Sequence, residues 1–547
     1  SLFLEMRAAR PYQVLKSQGT LTTCLGKDSM TATFVSHQWC GRKNPDPDFR
    51  QLSILQGVLR KAGDGSLSLD VDLLSAVAYQ ISPNLGATQL RQIADGYLWY
   101  DFFSVPQPAA QESDTSPHTD LDSDLGKAVA SLSAYVDRCR FFIVLAPTVE
   151  HEDGHVIDYN SWKSRGWCRF ERLARVLSLN SDTTMLLIRH EHAVFQIGAQ
   201  DYLFDPTGRG NFTEEIDRTR LAPTALMMLR LKLDRLMQAN AIDEFRELMS
   251  HRDALLDGLP ANWHDIVPGS ADDGDSLERF LREFRLDSPT ELVGGTCPLA
   301  YATALGDTMA VCALLDSAAD VECSERWDRP SQLTWKGMRA AHFACEHGHV
   351  GALEVLLEHR ADINASDKLG NTPLMFSMKD SAEILHVAIE RSADIYARNI
   401  YGMCALDLAV MHGRMNAVEV LLQAGSPVSR CADGPNALHH GCSFGAGEAI
   451  TKMLIEARVS VHDRVEPRTA RPLWVVFGLW SFAYRLGRRS FLARFGYHVW
   501  GATPLMFAAM FDYPAQAAVM LEHGADPDSR NERGLTAQEL SLIFKSS

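Results

Sequence analysis

The chain has 547 residues, 46% hydrophobic and 22% charged. That is an ordinary globular mixture but too long for one core, and at roughly 100–200 residues per domain it allows three or four units. The net charge of −16 and a pI near 5.6 exclude broad nucleic-acid binding, which needs a basic face to displace counterions. Eleven scattered cysteines with no CxxC pair, several in apolar runs (Cys312, Cys345, Cys442), fit buried thiols in a reducing, cytoplasmic compartment better than a disulfide framework. No apolar run reaches the roughly 18 residues of a spanning helix. Opening on Ser1 instead of Met leaves room for a lost targeting peptide.

After an N-terminal extension (1–30), four short apolar, β-rich runs stand out: Thr31–Ser36, Tyr97–Val105, Phe141–Ala146 and Met185–Ile188. Helical patterns lie between them, marked by Leu52, Leu55 and Leu59, by Leu125–Val136, and by Phe170, Leu173, Ala174 and Leu177. This alternation predicts an α/β domain over 31–190, built on a parallel sheet covered on both faces. In such sheets ligands bind beyond the carboxyl ends of the strands. Those ends carry Ser36-His37-Gln38-Trp39, Asp101 and, after strand three, Ser161–Leu173.

Phe34-Val35-Ser36-His37 is similar to the opening strand of Toll/interleukin-receptor (TIR) domains. Ser164, Trp167-Cys168 and Glu171 resemble their Ser-x-x-Trp-Cys-x-x-Glu pattern, with one extra spacer between Ser and Trp. Trp99-Tyr100-Asp101, Pro106-Gln107 and Trp162 to Glu171 look more like the related heterokaryon-incompatibility (HET) domain. The resemblance covers about residues 31–188 and departs from a minimal TIR domain at Gly57–Gly96 and Pro106–Asp124. It implies a flavodoxin-like fold and one of two activities: self-association in signalling, or cleavage of NAD at the nicotinamide–ribose bond by the motif glutamate. Only Glu171 occupies that position. Glu171 is therefore the catalytic candidate, with Ser36, His37, Trp39, Asp101 and Trp167 as substrate-binding candidates. NAD enters as a substrate, and neither cofactor nor metal is expected.

The residues themselves leave alternatives open. Trp167 and Glu171 are i,i+4 neighbours on a helix, so an indole could stack an aromatic ring while the carboxylate stabilises a cationic sugar. The competing reading is a surface glutamate paired with Arg175, also i,i+4. Asp101 either assists at the strand end or turns the chain, and His37 is either structural or substrate-binding. His151-Glu152-Asp153-Gly154-His155 matches H-E-x-x-H. That zinc motif works only on a helix, and Asp-Gly signals a turn, so a solvated loop is expected. No P-loop and no Gly-x-Ser-x-Gly elbow occurs.

Residues 191–291 read as a helical connector: Leu226, Leu229, Leu233 and Leu236 within Thr224–Met249, a polar linker at Ser270–Asp275, and a short helix at Ser276–Phe284. This stretch completes the first domain or bridges it to the C-terminal half of the chain.

From Leu292 onward the chain repeats itself. Gly370-Asn371-Thr372-Pro373-Leu374 is preceded by a related segment at Gly337, 33 residues earlier, and succeeded at Gly402 and Gly434, each 32 later. Gly295 starts the series, and Gly501 and Gly534 end it, 33 apart. Apolar pairs recur in phase: Leu314-Leu315, Leu356-Leu357, Leu421-Leu422, Leu454-Ile455 and Met520-Leu521. Two helices and a turn per unit, stable only when stacked, account for both landmarks. Glu346-His347-Gly348 through Leu356-Leu357 resembles the ankyrin consensus. Six full repeats and a partial cap are expected over 292–547, as an all-α solenoid. The resemblance implies binding of a protein partner, with Asp362, Asn364, Asp394, Tyr396, Asp526 and Asp528 at the turn tips.

Two insertions interrupt the series, Ser324–Leu333 and about Val465–Trp500. The second holds Trp474, Phe477, Trp480, Phe482, Tyr484, Phe491, Phe495, Tyr497 and Trp500, with six arginines (468, 471, 485, 488, 489 and 494) against Glu466, a net +5. It is either a surface for an anionic membrane or a helical flap packed on the array. The expectation for the whole is partner recognition by the repeats, coupled to signalling by a self-associating N-terminal domain. The alternative from another class is an NAD glycohydrolase using Glu171.

Overall fold

Residues 32–197 form a six-stranded sheet: β1 (Ala32–His37), β2 (Asp70–Val71), β3 (Tyr97–Trp99), β4 (Phe141–Leu145), β7 (Met185–His190) and β8 (Ala193–Ile197). A separate hairpin pairs β5 (Val149–Glu150) with β6 (Val156–Ile157). The structure is a computed structural model and describes residues 2–23, 31–77, 83–107, 127–128, 130–179, 184–198, 205–261, 263, 275–329, 334–377, 382–428, 434–466 and 472–545. Most of the polar stretch after β3 (108–124), the linker residues 270–274, Arg468 and Arg471 lie outside the described residues. The chain divides into two units: 1–76, 81–238 and 255–266, and then 77–80, 239–254 and 267–547.

In the first unit the strand order is β2-β8-β7-β4-β1-β3. β1 pairs in parallel with both β3 and β4, and β4 with β7. The sheet is mixed, because β8 doubles back antiparallel to β7 through a tight turn, and β2 then pairs in parallel with β8. It therefore runs seven residues past the expected boundary at 190. All five β4 residues are buried, as expected of a strand covered on both faces. Val35, Ile143, Leu145 and Ile188 face Leu52 and Leu55 of α1 (Arg50–Asp64) and Leu90 and Ile93 of α2 (Ala87–Asp95). On the other face Phe34 stacks on Phe142 and Trp99, and Trp99 on Tyr135 of α4 (Leu132–Arg138).

The run expected as one strand over Tyr97–Val105 stops at Trp99. Asp101–Ser104 is instead a single helical turn, α3, because the Asp101 carboxylate accepts its neighbour's backbone N–H and turns the chain. Two helices come after β6, α5 (Tyr159–Ser164) and α6 (Gly166–Val176), and then the long α7 (Ile216–Gln238).

In the second unit six helical pairs stack: 298–305 with 308–316, 340–347 with 350–358, 373–376 with 383–390, 405–411 with 415–423, 437–444 with 447–456, and 504–510 with 514–522. Ala537–Lys545 closes the series. The first helix of the third pair is only a 3₁₀ turn. Of each apolar pair only the first member is fully buried: Leu314, Leu356, Leu421, Leu454 and Met520, while the second keeps an accessible edge. Gly348 and Gly413 adopt the left-handed conformation that ends one helix and starts the next. The stacking closes across the long insertion: His439 bonds Ala502 O at 3.2 Å, 63 residues on, where His342 bonds Asn371 O at 3.2 Å, 29 on.

Candidate functional site

The sequence places Ser36 and His37 at the carboxyl end of β1, which lies between β3 and β4, successive strands of the chain on its opposite sides. Such reversals open a crevice. Four elements converge there. Ser36 is fully buried, and its hydroxyl donates to Glu171 Oε2 of α6. Trp162 of α5, also buried, donates its indole N–H to Ser36 Oγ at 2.9 Å. His37 Nε2 meets Asp101 Oδ1 at 2.8 Å, and Trp39 Nε1 donates to Asp101 Oδ2 at 2.8 Å. Tyr100 lies stacked on the His37 ring at 4.0 Å, with its hydroxyl 3.1 Å from Nδ1.

The loop after β1 is pinned from behind. Asp46 accepts the backbone N–H groups of Arg50 (2.9 Å) and Leu52 (2.8 Å), capping α1. Gln51 donates to Gln38 O at 2.8 Å, and Ser161 to Gln38 Oε1 at 2.6 Å. The α3 turn holds Asp101 over His37. Site side chains fixed this way need little ordering when a ligand arrives.

The electrostatics split the two carboxyls. Burial pushes Glu171 up to about 8, with a smaller push from the Asp101 charge, against the stabilising hydroxyl of Ser36. Burial also acts on Asp101, but the charge and hydrogen bond of His37 outweigh it and hold the group below the usual range. His37 is the mirror image: burial disfavours its cation, Asp101 overrides that, and its pKa rises. Burial raises Tyr100 and Cys168 well above their ordinary values, so both stay protonated at neutral pH. The site thus sets a Glu171 pushed toward its neutral form beside a His37–Asp101 pair pushed toward its charged form, and carboxyls pushed apart mark acid and base candidates.

Ser36, His37, Trp39, Asp101 and Glu171 are brought together. Trp167 is not: its indole donates to Asp217 Oδ2 of α7 at 2.9 Å and crosses Phe170 edge-on. The indole bonded to Ser36 is Trp162, and Tyr100 stacks on His37; both stand in the segments that carried the resemblance to HET domains. Nor does Arg175 pair with Glu171. It is fully buried, donating to the carbonyls of Cys139 (3.1 Å) and Arg140 (3.0 Å).

His151–His155 forms the turn of the β5–β6 hairpin, so no helix carries the H-E-x-x-H letters. The two imidazoles stack at 4.5 Å, and ligand atoms of His151, Asp153 and His155 lie within 4.8 Å of one another. Arg42 pairs with Asp153 at 3.1 Å, and its backbone N–H reaches Glu152 at 2.8 Å. Among the described residues no disulfide joins two cysteines, and Cys312 is half-buried where full burial was expected.

In the array, Asp362, Asn364, Asp394, Tyr396, Asp526 and Asp528 are all exposed. The three leading aspartates also have a local task, each accepting the backbone N–H two residues on, at 2.9, 2.8 and 3.0 Å. Asn364 ties two repeats, accepting Asp394 N–H at 2.8 Å and donating to Ser392 O at 3.1 Å. A buried ladder escaped sequence reading: Asn371 bonds Asp367 at 2.9 Å, and Asn399 donates to Asn371 at 3.0 Å. Its signal was the Asp or Asn three residues before Gly370, Gly402 and Gly534.

Comparison with known proteins bears on the second unit. The family description "Ankyrin repeats (3 copies)" matches residues 299–399, and "Ankyrin repeat" matches 500–532. The human transient receptor potential cation channel subfamily A member 1 is 26% identical over 134 residues, 24% of this chain and 12% of that protein. The Drosophila melanogaster tyrosine-protein kinase Shark is 33% identical over 101 residues, 18% of this chain and 11% of the kinase. Mouse ankyrin repeat domain-containing protein 63 is 27% identical over 156 residues, 27% of this chain and 36% of that protein. The chain thus spans a minor part of each relative's length. The crystal structure of the human ASB11 ankyrin repeat domain matches with a TM-score of 0.32 and 20% identity, over 46% of this chain and 96% of that one. The second unit contains ankyrin repeats in an all-α solenoid, a module that implies protein–protein interaction.

Proposed function

We propose that the protein recognises a protein partner along the exposed turns of its ankyrin array, in the cytoplasm, and that the sheet unit is a TIR/HET-like module passing the event on by self-association. The observation that carries the first part is the tying of successive turns into one edge by Asn364 and the Asn371–Asn399 ladder. A pre-ordered edge loses little entropy on binding. The exposed aromatics Tyr396 and Trp327 are residue types that anchor interfaces. Proteins captured by the wild-type chain are expected to be lost when Tyr396→Asp and Trp327→Asp are combined. An identical set would remove this edge from the reading. Light scattering over a concentration series tests self-association, and a monomer throughout would end that part.

The split carboxyls favour a second reading, NAD glycohydrolysis at Glu171. In this reading Glu171 must shed its proton before it can stabilise a ribosyl cation, so nicotinamide release should rise with pH toward about 8. Glu171→Gln, which keeps the shape but not the charge, should abolish it. A folded chain at high concentration that releases no nicotinamide eliminates this reading.

A further inference from the structure

The insertion forms a helical hairpin, α8 (Pro472–Arg485) against α9 (Phe491–His498). Its aromatics mostly hold it together. Trp474 packs on Trp500 at 5.0 Å, Phe477 on Phe495 at 5.4 Å and Tyr484 on Tyr497 at 4.6 Å. Phe491 and Phe495 carry the contact to Phe511 of the repeat, both at 5.2 Å. Gly496 lets the helices approach closely, since a Cβ there would sit 2.6 Å from Trp480 Cβ and 2.8 Å from Phe477 O. Arg494 is buried and donates to Ile543 O at 3.1 Å. The flap reading thus accounts for the inward face of α8 and for all of α9.

It does not account for the outward face. Val475, Leu479, Phe482 and Leu486 are 58%, 62%, 59% and 72% exposed. Their spacing of four, three and four places them on one narrow stripe of the helix surface. The stripe runs from the first turn of α8 to the residue that follows it, about 17 Å at 1.5 Å per residue. Arg485, Arg488 and Arg489 are exposed at its end. Arg489 rests over the Tyr484 ring at 4.3 Å and donates to Tyr484 O at 2.8 Å. No acidic residue lies between Pro472 and His498, in a chain of net charge −16.

We propose that α8 docks on a bilayer bearing anionic phospholipid, with Val475, Leu479, Phe482 and Leu486 below the headgroups and Arg485, Arg488 and Arg489 among the phosphates. An apolar stripe beside clustered arginines is the pattern that lies in a membrane interface. No described helix is long and apolar enough to cross a membrane, and this docking requires none. The local excess of positive charge in an otherwise acidic chain favours an anionic surface over a neutral one.

The test is co-sedimentation of the full chain with vesicles of phosphatidylcholine, alone or mixed with phosphatidylserine. The wild-type chain should bind the mixed vesicles, and added salt should weaken binding. Leu479→Glu with Phe482→Glu should lower vesicle partition by at least about tenfold without lowering the thermal midpoint, since both side chains are exposed. Arg485→Glu with Arg488→Glu should remove the preference for phosphatidylserine. No binding by the wild-type chain, or equal binding by the first double variant, would overturn the proposal. So would a wild-type dimer that the same variant dissociates, for then a second copy covers the stripe.

Discussion

In the sheet unit the buried polar groups converge. Two hydrogen-bonded sets, Trp162–Ser36–Glu171 and Tyr100–His37–Asp101, lie side by side at the end of β1, and the ionisable groups are displaced from their ordinary pKa values. In the array one buried set, Thr296–Glu325–Arg329, also converges, but most polar groups serve their own turn. Asp367, Asn399 and Asn531 each accept two backbone N–H groups of their own turn, at 2.8–3.0 Å, once per repeat. Polar groups that satisfy local backbone make a scaffold. Polar groups that satisfy one another at a strand end, with one carboxyl pushed toward its neutral form, make a candidate site.

The contrast can be broken by mutation. The largest expected effect is Phe142→Ala, which opens a cavity between Phe34 and the strands flanking it. It should cost about 3–5 kcal/mol and lower hydrogen-exchange protection across β1, β4 and β7 together, as one cooperative core demands. Protection lost only next to residue 142 would mean that the sheet unit, too, unfolds in pieces.

Glu171→Gln tests the displaced carboxyl. Below the ordinary value of 4.5 both folded and unfolded chains hold the proton. Between there and about 8 the unfolded chain loses it while the folded chain keeps it, so stability falls as pH rises through that window. Discounted for the accessible edge of the side chain, the fall is on the order of 2 kcal/mol. The glutamine variant should flatten that slope in the sheet unit's unfolding curve, and an unchanged slope would leave Glu171 an ordinary glutamate.

His439→Ala removes the link from Asn436 (2.7 Å) to Ala502 across the insertion. A loss of about 1–2 kcal/mol is expected, confined by hydrogen exchange to residues 434–456 and 500–522. Spread to residues 298–358 would contradict nearest-neighbour stacking.

The smallest effect is a gain. After the second helix of a repeat, Gly425 and Gly524 are left-handed, and Ala318, Arg360, Ser392 and Arg458 occupy the same place with φ of 65–69°. Arg360→Gly should relieve the steric strain and stabilise the array by up to about 1 kcal/mol, read as a higher denaturation midpoint. A lower midpoint would show that chain entropy outweighs strain there.

Much of the candidate site was legible, since Ser36, His37, Trp39, Asp101 and Glu171 sit at strand ends or in a motif. What misled was local spacing. Trp167 and Glu171 share a helix, yet the rotation of α6 turns Trp167 to Asp217 and Glu171 to Ser36. Arg175 is likewise i,i+4 from Glu171 but lies among carbonyls between strand and helix. A spacing of four fixes relative angle on a helix and says nothing of which side the sheet occupies. β8 was missed because Ala193–Ile197 is short and comes after Arg189-His190-Glu191-His192, and only pairing with β7 makes it a strand.

From the sequence alone came the repeat period, the helix pairs, the strand–helix alternation and the insertion's charge, because each is a pattern along the chain that local geometry translates directly. Tertiary structure alone decided which indole joins Glu171 on Ser36, that burial pushes its carboxyl toward the neutral form, that most of the insertion's aromatics are internal, and that Val475, Leu479, Phe482 and Leu486 are left outside. These depend on what fills the space around a side chain, and burial, dielectric and hydrogen-bond partners come from residues far away in sequence.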